Sequence, residues 1–182
     1  MKNKILACLM LLPMAFPAVQ AELYLEASLE GGGDTLVETN LNDEINAGGG
    51  IKFAVGIQNP MGPGGNNSLR LAVGYLFDSI NASNGDADFD ALTFDAIYSV
   101  SSGPHAFGFG GSLHMSPEYD ETIDGLGSLQ VEFDDALGMV LQYGYQGIPG
   151  FELGVRYTMI DYEAGSAILD ADSFGLFISN GF

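Results

Sequence analysis

Eight separate stretches of this chain alternate bulky apolar residues with glycine, alanine, serine or an isolated charge. A side-chain period of two restricts such stretches to extended strands. One runs Leu69, Leu71, Val73, Tyr75 and Phe77 against Arg70, Ala72, Gly74, Leu76 and Asp78, and another runs Leu92, Phe94, Ala96, Tyr98 and Val100 against Ala91, Thr93, Asp95, Ile97 and Ser99. Two more set Leu137, Met139, Leu141, Tyr143 and Tyr145 against Gly138, Gln142 and Gly144, and Leu153, Val155 and Tyr157 against Gly154 and Arg156. The other four lie at 23–30, 50–58, 106–115 and 174–182. Glycine at alternate positions would cost a helix repeatedly, so helix is no competitor. Most stretches are about nine to eleven residues long, the length a tilted strand needs to cross a bilayer.

Alternation alone does not say which face meets solvent. The second face decides it, because a water-facing sheet normally carries many Lys, Thr and Glu, whereas this one is built of Gly, Ala and Ser. Eight strands close into a barrel just wide enough for side chains to fill. Small residues around a few long charges suit that lumen, and the aliphatic and aromatic set suits lipid. The expected fold is therefore all-β: an eight-stranded, antiparallel, up-and-down transmembrane β-barrel.

The connections alternate in length. Short ones carry turn chemistry at Asn59-Pro60, Gly103-Pro104 and Pro149-Gly150, while the long ones at 31–49, 79–90, 116–135 and 161–173 carry most of the acid. Barrels of the outer membrane have tight periplasmic turns and longer external loops, which places both termini on the periplasmic side and the long loops outside.

Residues 1–21 read as a signal peptide: Lys2 and Lys4, an apolar run from Ile5, then the small-residue exit Val19-Gln20-Ala21. Residues 22–182 form the single barrel domain. Cys8, the only cysteine, lies in the leader, so the exported part has no disulfide. It retains only Lys52, Arg70 and Arg156 against 24 Asp and Glu. A chain so acidic will not bind nucleic acid through a basic patch.

The closing stretch ends on Phe182 and sets Phe174, Leu176 and Ile178 on one face. It resembles the final strand of bacterial outer-membrane barrels, whose terminal aromatic is part of the signal read by the barrel assembly machinery. The whole of 22–182 resembles the small eight-stranded outer-membrane group that includes the OmpA transmembrane domain, OmpX, OmpW and similar porin-like barrels. The resemblance implies a Gram-negative outer membrane, with its lipid and lipopolysaccharide as surroundings. It implies no substrate and no cofactor.

Six charges share the inward parity: Glu26, Lys52, Arg70, Asp95, Glu152 and Arg156. Three cations with carboxylates on other strands point to a buried ion-pair network that fills the lumen, since an unpaired charge in so tight a space is costly. The alternative is a narrow channel for small solutes or ions. On the outward parity Tyr98, Phe107, Tyr143, Tyr145, Phe151 and Phe182 would form a periplasmic aromatic girdle.

The acidic loops offer oxygen ligands, and Asp86, Asp88 and Asp90 are the candidate set for a weakly held divalent cation, although no complete calcium-loop pattern is present. A catalytic alternative also exists. His114 and Ser116, with Glu132 approaching from the next strand, would make a Ser-His-acid set, and His-x-Ser is similar to the pair of outer-membrane lipid A deacylases. That family continues with Asn where this chain has Pro117 and Glu118. The expected function is thus a structural or interaction role at the cell surface and not an enzyme. A soluble periplasmic lipocalin-like carrier is the alternative outside the membrane.

Overall fold

The computed structural model describes residues 21–38, 44–62, 64–82 and 85–182. The proposed leader lies outside these residues except for Ala21. Eight strands make the barrel wall: β1 (Glu22–Gly31), β4 (Gly50–Met61), β5 (Asn67–Ala82), β6 (Gly85–Ser102), β7 (His105–Ile123), β9 (Ala136–Ile148), β10 (Phe151–Met159) and β13 (Ser173–Gly181). The remaining strands are β2 (Thr35–Glu38), β3 (Glu44–Asn46), β8 (Gly127–Glu132), β11 (Asp161–Ala164) and β12 (Ala167–Asp170). No helix occurs among the described residues.

Each wall strand pairs antiparallel with its chain neighbours, and β1 closes the ring on β13 from Tyr24↔Gly181 to Gly31↔Phe174. Phe182 extends that seam by exchanging two main-chain bonds with Leu23, at 3.0 and 2.8 Å. Closure removes the sheet edge that an open sheet would leave at this level.

The lower part of the wall is inside out relative to a soluble barrel. Outward residues are large and apolar on every strand: Leu137 is 77% exposed and Leu176 58%. The inward residues Glu26, Lys52, Arg70, Asp95, Glu152 and Arg156 are all buried. On β6 the outward apolar run from Leu92 to Val100 spans nine residues. At about 3.3 Å per residue and a tilt near 40°, it forms a belt roughly 23 Å tall. So continuous an apolar surface requires an apolar solvent.

Above Ala91 the chemistry reverses while the strands continue. Ala87 and Phe89 turn inward and are buried, and Asp86 and Asp88 turn outward and are exposed. On β7 a bulge accomplishes the same reversal. Register shifts between Asp90 and Leu92, and Ser116 adopts a left-handed backbone, with φ of 46°. This extra residue changes the parity, so that His114 below it and Pro117 and Tyr119 above it are all buried. Without it, Tyr119 would face water and Glu118 the interior.

The segments 79–90 and 116–135, expected as loops, are therefore continuations of the wall: β5–β6 and β7–β8 hairpins that rise above the belt. Their polar-out, apolar-in alternation is that of a water-soluble sheet. Two smaller hairpins, β2–β3 and β11–β12, fold beside them. Together they bury an apolar core containing Ile45, Leu76, Phe89, Tyr119, Phe133, Ile160 and Tyr162. Tyr162 lies at its centre, 5.9 Å from the Phe89 ring and 5.6 Å from Phe133.

Placing a charge in the lower belt has a calculable cost. Leu141→Arg, at an outward position in the middle of β9, should destabilise the barrel in lipid by about 2–4 kcal/mol, the range for a cation at bilayer midplane. Asp88→Arg, above the belt, should cost far less. Denaturant titration of both variants in lipid vesicles checks this, and equal effects would remove the distinction between belt and rim.

Candidate functional site

Two places concentrate chemistry: the charged lumen and the acidic outer hairpins. In the lumen, β1 and β10 lie on either side of β13, yet tilt and narrow diameter bring their side chains together across the interior. Arg156 meets Glu26 in a two-pronged bond, Nη1 to Oε1 at 2.6 Å and Nη2 to Oε2 at 2.7 Å. It also donates to Gln142 at 3.1 Å and has Asp95 3.9 Å away. Lys52 donates to the same Asp95 oxygen, Oδ2, at 3.1 Å, and Ser112 donates to Oδ1 at 2.6 Å. The hydroxyl of Tyr24 donates to Glu26. Two cations and two carboxylates thus form one neutral cluster with its polar atoms largely turned on one another.

A second, smaller pair lies toward the short turns. Arg70 donates to Glu152 at 3.3 Å and through two nitrogens to Gln58 at 3.2 Å, and its guanidinium lies over the Tyr24 ring at 4.2 Å. Gln146 donates to Glu152 at 2.8 Å. A polar hollow of about 300 Å³ opens beside this pair, lined by Glu22, Gln58, Gln146 and Ser179 among others. The six charges read from the sequence are therefore assembled as a four-membered cluster and a pair. Their polar partners Tyr24, Gln58, Ser112, Gln142 and Gln146 were missed, although all five hold the inward parity of their strands and could have been read by extending the pattern to uncharged residues.

Glycine makes room for these long side chains at defined points. At Gly154 a Cβ would collide with the main-chain oxygen of Tyr143 and with the Phe177 ring, which itself lies under the Arg156 guanidinium at 5.3 Å. The small residue on β10 is thus the space that the ring of β13 occupies.

Of the expected aromatic girdle, Phe107 packs on Tyr143 with ring centres 5.2 Å apart. Tyr98 meets Phe109 edge-on at 5.5 Å, and His105 sits between Tyr143 and Tyr145, its Nδ1 2.8 Å from the Tyr143 hydroxyl. Tyr145, Phe151 and Phe182 are exposed on the outer face. Phe109 and His105 are additions that the sequence pattern did not single out.

The outer hairpins carry a ladder of like charges. Asp88 stands opposite Asp120, Asp90 opposite Glu118, and Glu118 opposite Glu132 on its other side. Their position in a strand corrects the loop expected for Asp86, Asp88 and Asp90, which are spread along the outward face of β6 instead of gathered about a point. Among the described residues no group of three or more His, Cys, Asp or Glu is placed to hold a metal ion. Gln130 donates to Glu118 and Tyr75 to Asp90, which spreads some of the charge. Other carboxylates satisfy main-chain donors: Asp135 takes Ser116 N–H, Asp172 takes Ile160 N–H and Asp34 takes Asp170 N–H, each at 2.9 Å.

The Ser-His-acid alternative does not assemble. His114 is buried with Nδ1 2.6 Å from the Tyr162 hydroxyl, beneath the apolar core. Ser116 lies in the bulge with an exposed side chain, and Glu132 faces Glu118 on the outside of β8. The parity change at the bulge separates the histidine from the serine.

No protein-family model matches the chain, and no curated protein sequence matches it. Solved structures do. Neisserial surface protein A superposes with a TM-score of 0.56 at 15% identity, covering 89% of this chain and 97% of that one. Ail, the attachment invasion locus protein of Yersinia pestis, gives 0.55 at 9% identity with the same coverage, in a complex with the heparin analogue sucrose octasulfate, and 0.53 in a second structure. The likeness establishes the fold: the closed eight-stranded barrel of small outer-membrane proteins.

Arg156→Met would leave Glu26 without its two-pronged partner and should destabilise the barrel by about 3–5 kcal/mol in vesicle unfolding titrations. Arg156→Met with Glu26→Gln should recover part of that loss, because the stranded charge is gone. On the outer face, desolvation, then the hydrogen bond and charge of Glu118, then Asp90 and Asp88, raise the Asp120 carboxyl above its ordinary range. Its contribution to hairpin stability is accordingly full below the unfolded pKa and lost as pH rises through the higher folded one. Amide exchange in 118–132, corrected for intrinsic rates, should slow as pH falls through the carboxylate range, and Asp120→Asn should flatten the response.

Proposed function

We propose that this protein spans the outer membrane of a Gram-negative cell, with termini in the periplasm, and acts as a surface interaction protein and not as an enzyme or a solute pore. The observation that carries the reading is the acidic sheet standing above an apolar belt, on a barrel whose mouth is filled by the hairpin core. Residues 1–21 would deliver the chain to the periplasm, and the closing strand ending in Phe182 would engage the assembly machinery. The girdle of Tyr98, Phe107, Tyr143, Tyr145, Phe151 and Phe182 would mark the periplasmic interface, and the paired lumen charges would stabilise the wall from within.

Charge selects the class of partner. The Ail structure holds a sulfated sugar, which is a polyanion. Asp86, Asp88, Asp90, Glu118, Asp120 and Glu132 would repel such a ligand and favour a cationic one. Divalent cations fit the same surface as loosely held, exchangeable ions that screen the ladder and bridge it to lipopolysaccharide phosphates.

The channel reading is disfavoured by two successive obstructions, the neutral ion cluster and the apolar core above it. Unboiled protein should migrate differently from boiled protein on a gel, fractionate with outer membranes, and be cut by external protease at hairpin tips such as Asp124–Leu126. Planar bilayers should give a steady closed trace. Recovery from the soluble periplasm would favour the lipocalin-like carrier, and stable conductance would favour the channel.

A further inference from the structure

The hollow of about 300 Å³ beside the Arg70–Glu152 pair opens at the short-turn mouth of the barrel, the opposite end from the acidic hairpins. That pair forms its floor, and Gln58 and Gln146 stand in its walls. Ile148 and Pro149, where β9 turns into β10, make an apolar lip. Tyr24 also lines the floor, and its hydroxyl donates to Glu26, so the neutral ion cluster stands directly behind it and leaves the hollow blind. A recess of this size lies at the small end of those that take single small molecules.

The floor is incompletely satisfied from within. Arg70 and Glu152 are only 3% and 6% exposed, yet Arg70 Nη1 and Glu152 Oε1 have no hydrogen-bond partner among the described residues. Arg70 uses Nε and Nη2 on Gln58, and Nη2 also on Glu152, whose Oε2 takes Gln146 as well. One donor and one acceptor of a single ion pair are thus left over. Each carries a desolvation cost that a bound group would recover.

Charge and hydrogen-bonding capacity select the class of guest. An anion would suit Arg70 but meet Glu152 and, at the rim, Glu22, whereas a cation would suit the carboxylates but meet the guanidinium. A neutral hydroxyl both donates and accepts, so adjacent hydroxyls can serve Nη1 and Oε1 together. The lip of Ile148 and Pro149 suits an apolar ring face. Hydroxyls on the edge of a ring and C–H groups on its face are the chemistry of a sugar. We infer that the hollow at the short-turn mouth is a binding site for a neutral sugar, whose hydroxyl edge meets Arg70 and Glu152 and whose C–H face meets Ile148 and Pro149. The site goes beyond the outer-surface reading and is independent of it, because the two lie at opposite ends of the barrel.

The full barrel, refolded in lipid nanodiscs that leave both mouths open, can be titrated with glucose, galactose and mannose, and with glucosamine and glucuronate as charged analogues. Side-chain N–H signals of Arg70, Gln58 and Gln146 report binding by NMR. The expected result is saturable binding of at least one neutral sugar, about tenfold tighter than either charged analogue, with the Asp86–Asp90 amides unmoved. Gln146→Trp, at an exposed position of the mouth, should fill the hollow and abolish the Arg70 shifts while unboiled samples keep the folded migration. Arg70→Lys keeps the charge, removes Nη1 and should weaken binding about tenfold; should it fail to refold, Gln146→Trp alone decides. Absence of any saturable shift would overturn the inference and leave the two orphan atoms to water. Tighter binding of a charged analogue would overturn the choice of a neutral guest, and Arg70 shifts that persist in Gln146→Trp would overturn the location. None of these outcomes bears on the acidic hairpins.

Discussion

A main chain that runs through an apolar solvent has no water to satisfy its N–H and C=O groups, so each must find a partner in the protein. The seam between β1 and β13 answers that requirement here, carried to the last residue by the two bonds between Leu23 and Phe182. Other features follow from closing the ring with only eight strands. The interior is too narrow for water-solvated charges, so Lys52, Arg156, Glu26 and Asp95 neutralise one another, and Arg70 is matched with Glu152. The same narrowness explains why glycine recurs on the inner parity: Phe177 occupies the space that a side chain at Gly154 would need.

Above the seam the solvent changes and the sheet changes with it. The transition occurs within two or three residues, at Ala91 on β6 and at the Ser116 bulge on β7. The bulge allows one continuous strand to serve both environments. Its extra residue lets Tyr119 join Phe89, Phe133 and Tyr162 in the upper core while Glu118 and Asp120 face outward. Surface interaction, in this account, belongs to the upper part. The lower part is a support whose charges pair internally, and the upper part presents outward carboxylates and, among the described residues, a strand, β8, with one strand partner.

Much of the lower barrel was legible because alternation and face composition gave the same answer on every strand. The Gly/Ala/Ser face on Ala72, Gly74 and Gly144 excluded a water-solvated sheet, and the inward parity gathered the six lumen charges. The upper hairpins were not legible for a specific reason. Asp86, Asp88 and Asp90 are poor strand formers by composition, and the alternation they share with Ala87 and Phe89 is inverted in chemistry relative to Leu92 and Phe94 just below. Followed along the outward parity, the apolar run stops at Leu92 and gives way to Asp90. The Ser116 bulge added a change of parity that no local glycine announced, which also made His114 and Ser116 look like neighbours on one face. Partners of the ion pairs such as Gln142 and Tyr24 share the inner parity of the charges and were passed over because only charged residues were followed along that face.

The central claim is that solvent reverses along a single strand at about residue 91. Single cysteines placed along the outward parity of β6, in a variant lacking Cys8, can be spin-labelled in vesicles and tested for collision with oxygen and with a water-soluble nickel chelate. The account predicts that labels at Leu92, Phe94, Ala96 and Val100 collide preferentially with oxygen, and that labels at Asp86 and Asp88 collide preferentially with the chelate. Chelate accessibility at all of these positions would contradict it, since the outer face of β6 would then meet water from end to end.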